Sequence, residues 1–338
     1  MNAPLGYLDM RRMVGRLRSS NYDISTTCNL RCEGCLFFSG AGDEAHQSET
    51  DPARWDGFFA AEARRGINYA YLGGAEASLT PERIAACHTH IPMGVIFTNG
   101  TKRIAPEVSY RIHVSVWGDE TTSRLYRGGE GNMRALRNYQ GDARAVFVLT
   151  LNALNLGEVD RVARACRDHG VRLTFSIFSP TLDYGARMVA GGRTDYFRFS
   201  GAGEADMRLR PEGLARARAV MMKAAADYPG TVRIAPDYID WITGQGLYDL
   251  DAQGVARDCG NRLTRWHRHF NADMSENAGK CCTPNLDCRD CRAYAMGMAS
   301  YLARKKLRRA DPENWLAVWQ HWASLFLPLD ALNPREAV

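Results

Sequence analysis

The feature that most constrains this chain is a group of three cysteines within eight residues. Cys28, Cys32 and Cys35 lie in 28-CNLRCEGC-35, directly after the strand-like segment 20-SNYDISTT-27. Polar residues separate the cysteines, which is unfavourable for a buried group of unligated thiols. The pattern therefore predicts a metal-binding loop at the end of a strand.

Two kinds of metal centre compete for this loop. Zinc prefers four tetrahedral ligands, but the nearest histidine is His46 and no frame of two C-x-x-C pairs surrounds the loop. A [4Fe–4S] cluster held by three thiolates leaves its fourth iron open for a ligand. The spacing favours such a cluster, with zinc and free thiols as the alternatives.

The rest of the composition indicates a cytoplasmic protein. The N-terminus lacks the apolar stretch of a secretory signal, and no apolar run reaches the roughly 18 residues of a membrane span. In a cytoplasmic protein the ten cysteines are better explained as metal ligands than as disulfides. The net charge of +5 is spread along the chain, which predicts neither nucleic acid nor a membrane as a partner.

Strand-like and helix-like segments alternate along the first two thirds of the chain. The strand candidates are 20–27, 69–74, 94–100, 112–118, 145–152 and 171–178. The helix candidates are 51–65, 81–90, 132–140, 157–170 and 211–228, and 231–236 is again strand-like. This alternation predicts an α/β fold with parallel strands, either doubly wound or a TIM-type barrel.

The sequence divides into four parts by composition. We expect an N-terminal helix in 1–19, an α/β domain in 20–245, a small module in 246–292 and a helical tail in 293–338. Within the α/β domain, 181–206 is expected to be an insertion or lid. The 246–292 segment has too little apolar periodicity to bury a core, so it needs a cross-link such as a metal.

The C-x3-C-x2-C loop after the first strand of a βα series resembles the signature of the radical SAM superfamily. The resemblance implies a partial (β/α)6 barrel, a [4Fe–4S] cluster on the three loop cysteines and S-adenosylmethionine as cofactor. That family carries a GGGEP-like turn after its second strand, and 72-LGGAEASL-79 occupies this place. By resemblance, Gly73, Gly74 and Glu76 would contact the methionine end of S-adenosylmethionine.

Four further residues match the family's softer patterns. The third strand ends in 98-TNG-100, which places Asn99 among the cofactor contacts. The resemblance implies that Ser115 and Asn152 lie near the ribose and that Arg127 lies near the carboxylate. A plain β-turn and a surface ion pair are the alternatives for Asn99 and Arg127.

One position departs from the family pattern. An aromatic residue usually precedes the third cysteine, where it packs near the adenine, but here that residue is Gly34. We expect Phe37 or Phe38 to take its place from the other side of Cys35.

A second group of cysteines lies near the C-terminus. Its members are Cys259, Cys281, Cys282, Cys288 and Cys291. The group resembles the twitch or truncated SPASM modules of some radical SAM enzymes, which implies one auxiliary [4Fe–4S] cluster. The ligands would be Cys259, Cys288 and Cys291, with Cys281 or Cys282 as the fourth; structural zinc and unligated thiols are the alternatives.

The two remaining cysteines lie in helix-like patterns. Cys87 and Cys166 are expected to be small buried hydrophobic residues, and the alternative is a hydrogen-atom donor to a substrate radical.

The family resemblance implies an enzyme that cleaves S-adenosylmethionine and abstracts hydrogen from a substrate, with a flavodoxin or ferredoxin as electron donor. Many peptide-modifying members of the family carry a peptide-binding domain before their cysteine loop, but here fewer than thirty residues precede Cys28. The resemblance therefore favours a small molecule over a peptide. The arginine-rich segment 193-RTDYFRFSG-201 would suit an anionic substrate. We therefore expect a nucleoside, a nucleotide sugar or another secondary-metabolite intermediate, as in antibiotic assembly of the tunicamycin kind. A peptide-modifying maturase and a non-catalytic Fe–S or zinc scaffold are the alternatives.

Overall fold

The computed structural model describes residues 5–38, 47–129, 131–190, 207–277, 286–307, 311–329 and 331. Within these ranges, no helix is both long enough and apolar enough to cross a membrane. Cys281, Cys282 and the arginine-rich 193–201 segment lie outside the described residues, so the predictions for them stay predictions.

Eight strands form a single sheet in the order β6-β5-β4-β3-β2-β1-β7-β8. The strands are β1 (Ser19–Asp23), β2 (Tyr69–Gly73), β3 (Met93–Thr98), β4 (Arg111–Val116), β5 (Ala145–Leu151), β6 (Arg172–Ile177), β7 (His269–Phe270) and β8 (Glu276–Asn277). The first six are all parallel and follow one another in chain order. This confirms the parallel α/β fold that the sequence predicts.

Helices connect the strands and form the tail. They are α1 (Tyr7–Arg16), α2 (Pro52–Arg64), α3 (Pro81–His90), α4 (Glu120–Arg127), α5 (Asn132–Asn138), α6 (Val159–Asp168), α7 (Leu182–Ala190), α8 (Pro211–Asp227), α9 (Pro236–Ile242), α10 (Gly260–Leu263), α11 (Tyr294–Leu307) and α12 (Pro312–Phe326). Helix α2 begins as the sequence predicts, because Asp51 accepts a hydrogen bond from the Ala53 amide and Pro52 occupies the first turn.

The sheet surrounds a cavity of about 360 Å³. Side chains from opposite ends of the six-strand series line it, including Asp23 on β1, Ser115 on β4 and Ser176 on β6. A flat sheet could not bring its first and sixth strands to one cavity, so the sheet curves into a partial barrel. Helix α11 also contributes to the cavity wall, through Tyr294 and Met296.

Strand β7 extends the barrel sheet beyond β1. His269 and Phe270 pair in parallel with Asn21 and Tyr22, and β8 continues antiparallel to β7. The 246–292 segment therefore contributes strands to the same sheet as the first six. The division of the chain into four parts remains a prediction.

The C-terminal end of α12 fits into the barrel from the side opposite the strand ends. Four of its backbone carbonyls accept hydrogen bonds from inward-facing side chains: Tyr69 Oη to Phe326 O (2.7 Å), Arg111 Nε to Leu327 O (2.6 Å), His113 Nε2 to Leu325 O (2.9 Å) and Arg172 Nη1 to Ser324 O (3.2 Å). The last carbonyls of a helix have no partner within the helix, so these bonds satisfy groups that burial would otherwise leave unpaired.

One of these donors makes stability depend on pH. Burial lowers the pKa of His113 to about 3, from an ordinary value of 6.5. As pH falls from 6.5 towards 3, His113 therefore binds a proton in the unfolded chain but stays neutral in the folded chain. We expect the free energy of unfolding to fall over this window by about 1.4 kcal/mol per pH unit from this residue alone.

The measurement is urea unfolding of the protein at a series of pH values. The His113→Gln variant keeps an amide donor for Leu325 O but does not titrate, so its pH slope should be shallower by one proton. An unchanged slope in His113→Gln would show that His113 titrates normally in the folded protein.

Candidate active site

The cysteine loop begins at the end of β1 and lies over the cavity. Cys28, Cys32 and Cys35 all line this cavity. Backbone hydrogen bonds from Arg31 N to Arg127 O (2.9 Å) and from Glu33 N to Tyr126 O (2.7 Å) tie the loop to the end of α4. The structure therefore brings the three predicted ligands together at the carboxyl ends of the strands.

Burial changes the acidity of these thiols. Burial, with the neighbouring Cys32 thiol as a second cause, raises the pKa of Cys28 to about 11 and that of Cys35 to about 12. At neutral pH Cys28 and Cys35 are protonated and uncharged unless a cation stabilises their thiolate forms. The thiolate is the form that binds metals. A set of three soft sulfur donors in this setting fits an iron–sulfur centre.

Three thiols around one cavity are the ligand set that a [4Fe–4S] cluster with one open iron needs. Across the described ranges, no three histidine, cysteine, aspartate or glutamate side chains converge closely enough to hold one metal ion. A [4Fe–4S] cluster binds each thiolate through a different iron, so its ligands surround a volume instead of meeting at a point.

The Gly73–Gly74 turn lies against the end of β1. The φ angle of Gly74 is +107°, and a Cβ there would stand 2.6 Å from the Ser25 carbonyl oxygen. Hydrogen bonds from Ile24 N to Gly73 O (3.1 Å) and from Ala75 N to Ser25 O (2.9 Å) hold the two backbones together. Only glycine fits at position 74, and both glycines present backbone to the cavity.

Glu76 is buried and its carboxylate is bonded to the protein. Oε1 accepts hydrogen bonds from Thr98 Oγ1 (2.6 Å) and Ser78 N (3.0 Å), and Oε2 accepts from Asn99 N (2.7 Å). Glu76 therefore fastens the turn after β2 to the end of β3.

Asn99 faces the cysteine loop. Its Nδ2 donates to Asn29 Oδ1 (2.8 Å) and to Cys28 Sγ (3.8 Å), and its Oδ1 accepts from Thr101 Oγ1 (2.7 Å). Asn99 therefore contacts the Asn29 side chain of the loop and one predicted ligand, Cys28.

Ser115 and Arg127 line the cavity, whereas Asn152 does not. The Arg127 guanidinium donates through Nη1 to the Ser115 carbonyl, and its buried Nε has no partner among the described residues. Asn152 is fully buried, and its Oδ1 accepts from Leu154 N (2.9 Å) in the turn after β5. Of the seven predicted cofactor contacts, Asn152 alone lies away from the cavity wall.

An aromatic cluster occupies the space next to Gly34. A Cβ at Gly34, whose φ is +55°, would stand 2.9 Å from Phe178 Cζ and 3.0 Å from the Tyr184 ring. Tyr184 Oη donates to Glu33 Oε1 (2.8 Å), which fixes the ring against the loop. An aromatic residue at position 34 would collide with these rings.

Sequence reasoning did not single out Trp117 and Phe178 as cavity residues. They line the cavity with Phe37, while Phe38 packs in the same cluster away from the lining. Both directly follow the observed strands β4 and β6, at the ends of the predicted segments 112–118 and 171–178, and that position was the available signal.

Two of the three described C-terminal cysteines, Cys259 and Cys291, influence one tyrosine. Burial, together with the thiols of Cys291 and Cys259, raises the pKa of Tyr248. Cys288 is half-buried, and Cys291 is buried. The next residue, Arg292, donates to the carbonyls of Ile242 (3.0 Å) and Gly244 (2.9 Å), which anchors this segment after α9.

Cys87 and Cys166 are buried on the outer helices. Burial raises the pKa of both thiols, that of Cys166 to about 12. Neither lines the central cavity; Cys166 faces a separate cavity of about 100 Å³ between α5 and α6.

No family model and no curated protein matches this sequence. Solved structures match its fold. SuiB of Streptococcus suis bound to S-adenosylmethionine aligns over 79% of this chain at 11% identity, with a TM-score of 0.52. A second SuiB structure aligns over 81% at 11% identity, with a TM-score of 0.54. SuiB bound to its precursor peptide SuiA aligns over 82% at 9% identity, with a TM-score of 0.53.

The chain spans between 60% and 64% of the length of these SuiB chains. At such low identity the likeness concerns the fold. The chain has the fold of these SuiB structures, which confirms the partial barrel that the sequence predicts.

Proposed function

We propose that the protein is a radical SAM enzyme. The observation that supports this most directly is the meeting of three thiols and a glycine turn at one cavity. Cys28, Cys32 and Cys35 line it from the first loop, and Gly73 and Gly74 line it from the second. Active sites of parallel barrels lie at this end of the strands.

In this proposal the three loop cysteines hold a [4Fe–4S] cluster, and the glycine turn receives the methionine end of S-adenosylmethionine. When bound and reduced, the cluster supplies the electron that cleaves the cofactor's C5′–S bond and so generates the 5′-deoxyadenosyl radical. Trp117 and Phe178 exclude water from the cavity, which protects a reactive intermediate. Asn99 and Arg127 hold the cysteine loop in place through Cys28, Asn29 and Arg31.

A peptide is the substrate class that the comparisons favour. The SuiB structure with its precursor peptide shares the fold over 82% of this chain. No comparison supports the small-molecule substrate that the sequence favours, so the nucleoside or nucleotide-sugar assignment becomes the second candidate. A one-electron donor of the flavodoxin or ferredoxin class would reduce the cluster in either case.

We also propose an auxiliary [4Fe–4S] cluster on the C-terminal cysteines. Cys259 and Cys291 both help to raise the pKa of the same tyrosine, Tyr248, and Tyr248 packs against the small apolar cluster that contains Cys291. Cys288 and one of Cys281 or Cys282 would complete the ligand set. Iron content separates this proposal from structural zinc, because a zinc site would leave only the iron of the first cluster.

The test of the function uses the full chain, reconstituted with iron and sulfide under anaerobic conditions. With dithionite and S-adenosylmethionine we expect release of 5′-deoxyadenosine, and failure to release it would favour a non-catalytic Fe–S scaffold. For the substrate, perdeuterated peptides encoded beside the gene and perdeuterated uridine nucleotides are compared. Deuterium in 5′-deoxyadenosine from the peptides alone supports a peptide substrate, and deuterium from the nucleotides alone overturns it.

A further inference from the structure

A second carboxylate faces the cavity beside the glycine turn. Asp23 is the last residue of β1, lines the cavity and keeps 18% of its side chain exposed. Its Oδ2 accepts a hydrogen bond from His269 Nε2 (2.9 Å). Its Oδ1 has no hydrogen bond among the described residues.

Asp23 is adjacent to Gly73. The two residues pair across β1 and β2, and a Cβ built on Gly73 would stand 3.6 Å from Asp23 Oδ1. The carboxylate therefore lies over the part of the glycine turn that faces the cavity.

Glu76 differs from Asp23 in its availability. Three protein donors already occupy the two Glu76 oxygens, and the residue is 2% exposed. Asp23 combines a negative charge, an open oxygen and a place on the cavity wall. A ligand amino group beside the glycine turn would therefore find its acceptor in Asp23.

We propose that Asp23 accepts a hydrogen bond from the amino group of the methionine part of S-adenosylmethionine, and that His269 is the positioning residue that holds Asp23. This inference rests on the proposed function. His269 is 2% exposed and lies on β7, so the C-terminal segment supports the cofactor site through one hydrogen bond.

The test measures equilibrium binding of three probes to the reconstituted full chain without substrate. S-adenosylhomocysteine carries both the amino and the carboxylate group, S-adenosylthiopropylamine carries only the amino group, and 5′-methylthioadenosine carries neither. The Asp23→Asn variant should bind the first two about tenfold more weakly, as expected for loss of a hydrogen bond between charged groups. Its affinity for 5′-methylthioadenosine should not change.

The positioning role is tested at His269. His269→Leu should show the same selective loss as Asp23→Asn, and His269→Gln should restore affinity because its amide can donate to Asp23. A purely structural role would weaken all three probes equally in His269→Leu and would overturn the assignment.

Other outcomes distinguish a failure of this inference from a failure of the proposed function. If Asp23→Asn binds all three probes as the unaltered protein does, Asp23 is not a contact and the inference fails alone. If the unaltered protein binds S-adenosylhomocysteine no better than 5′-methylthioadenosine and releases no 5′-deoxyadenosine, the proposed function fails as well.

Discussion

Cys32→Ala is expected to abolish S-adenosylmethionine cleavage and to remove about four of about eight irons per chain. Cys32 lines the cavity with the other two predicted ligands, and removing it leaves two thiols for a cluster that needs three. The measurement is iron content after anaerobic reconstitution, together with 5′-deoxyadenosine release under dithionite.

The matched control for this variant is Cys291→Ala, which targets the proposed auxiliary cluster. It should also lose about four irons, but it should retain the cleavage-competent cluster. Cys166→Ala is a second control, because this buried thiol lies outside the central cavity and should leave the iron content unchanged. Full cleavage by Cys32→Ala would contradict the proposed function. A total near four irons that Cys32→Ala removes entirely would contradict the auxiliary cluster alone.

Gly74→Ala is expected to disrupt the cofactor site and to lower the free energy of unfolding by about 3 kcal/mol. The added Cβ would stand 2.6 Å from the Ser25 carbonyl oxygen and 3.0 Å from the Ser25 amide nitrogen, and both are backbone atoms that cannot rotate away. The positive φ of 107° adds strain for any residue with a side chain. The two backbones must separate at the point where β1 passes into the cysteine loop.

The measurements are urea unfolding and S-adenosylhomocysteine binding. Gly57→Ala is the matched control, because Gly57 is exposed on α2 and a Cβ there meets no atom within 4 Å. That variant should be more stable by about 0.5–1 kcal/mol, since alanine favours a helix over glycine. Equal stability and equal binding in Gly74→Ala would show that the turn does not require glycine.

The sequence was sufficient for the parallel core of the fold. All six predicted strands from 20–27 to 171–178 are present with boundaries shifted by a few residues. Their β-branched runs and the turn residues after them are local signals, because a buried parallel strand is apolar on both faces. The 231–236 segment makes only one bridge, from Leu173 to Val232, because the helix α9 begins at Pro236.

Strands β7 and β8 left too little trace in the sequence. They contain two residues each, which is shorter than any alternating pattern that can be recognised.

Helix α4 is a different case, because its signal was present in the sequence and was missed. The helix begins at Glu120 with Asp119 as its cap. The C-terminal end of α4 binds the cysteine loop, so the helix that was not predicted is part of the candidate active site.

The departure at Gly34 could be explained only in three dimensions. The sequence suggested Phe37 or Phe38 as the replacement for the missing aromatic residue. The rings next to Gly34 are Phe178, directly after β6, and Tyr184 on α7, and both lie more than a hundred residues away in the chain. No local pattern can predict which distant ring fills a given space, because packing depends on the completed fold.

By itself the sequence determined the three-cysteine loop, its position after the first strand and the parallel strands that support it. These follow from short-range spacing and periodicity, whereas the choice of a barrel over a doubly wound sheet came from the family resemblance. The tertiary structure alone decided which carboxylate is available in the cavity: Glu76 is bonded by three donors, and Asp23 is held by His269, 246 residues away. It also decided that α12 closes the barrel floor, because helix carbonyls and their donors meet only after the strands have curved around them.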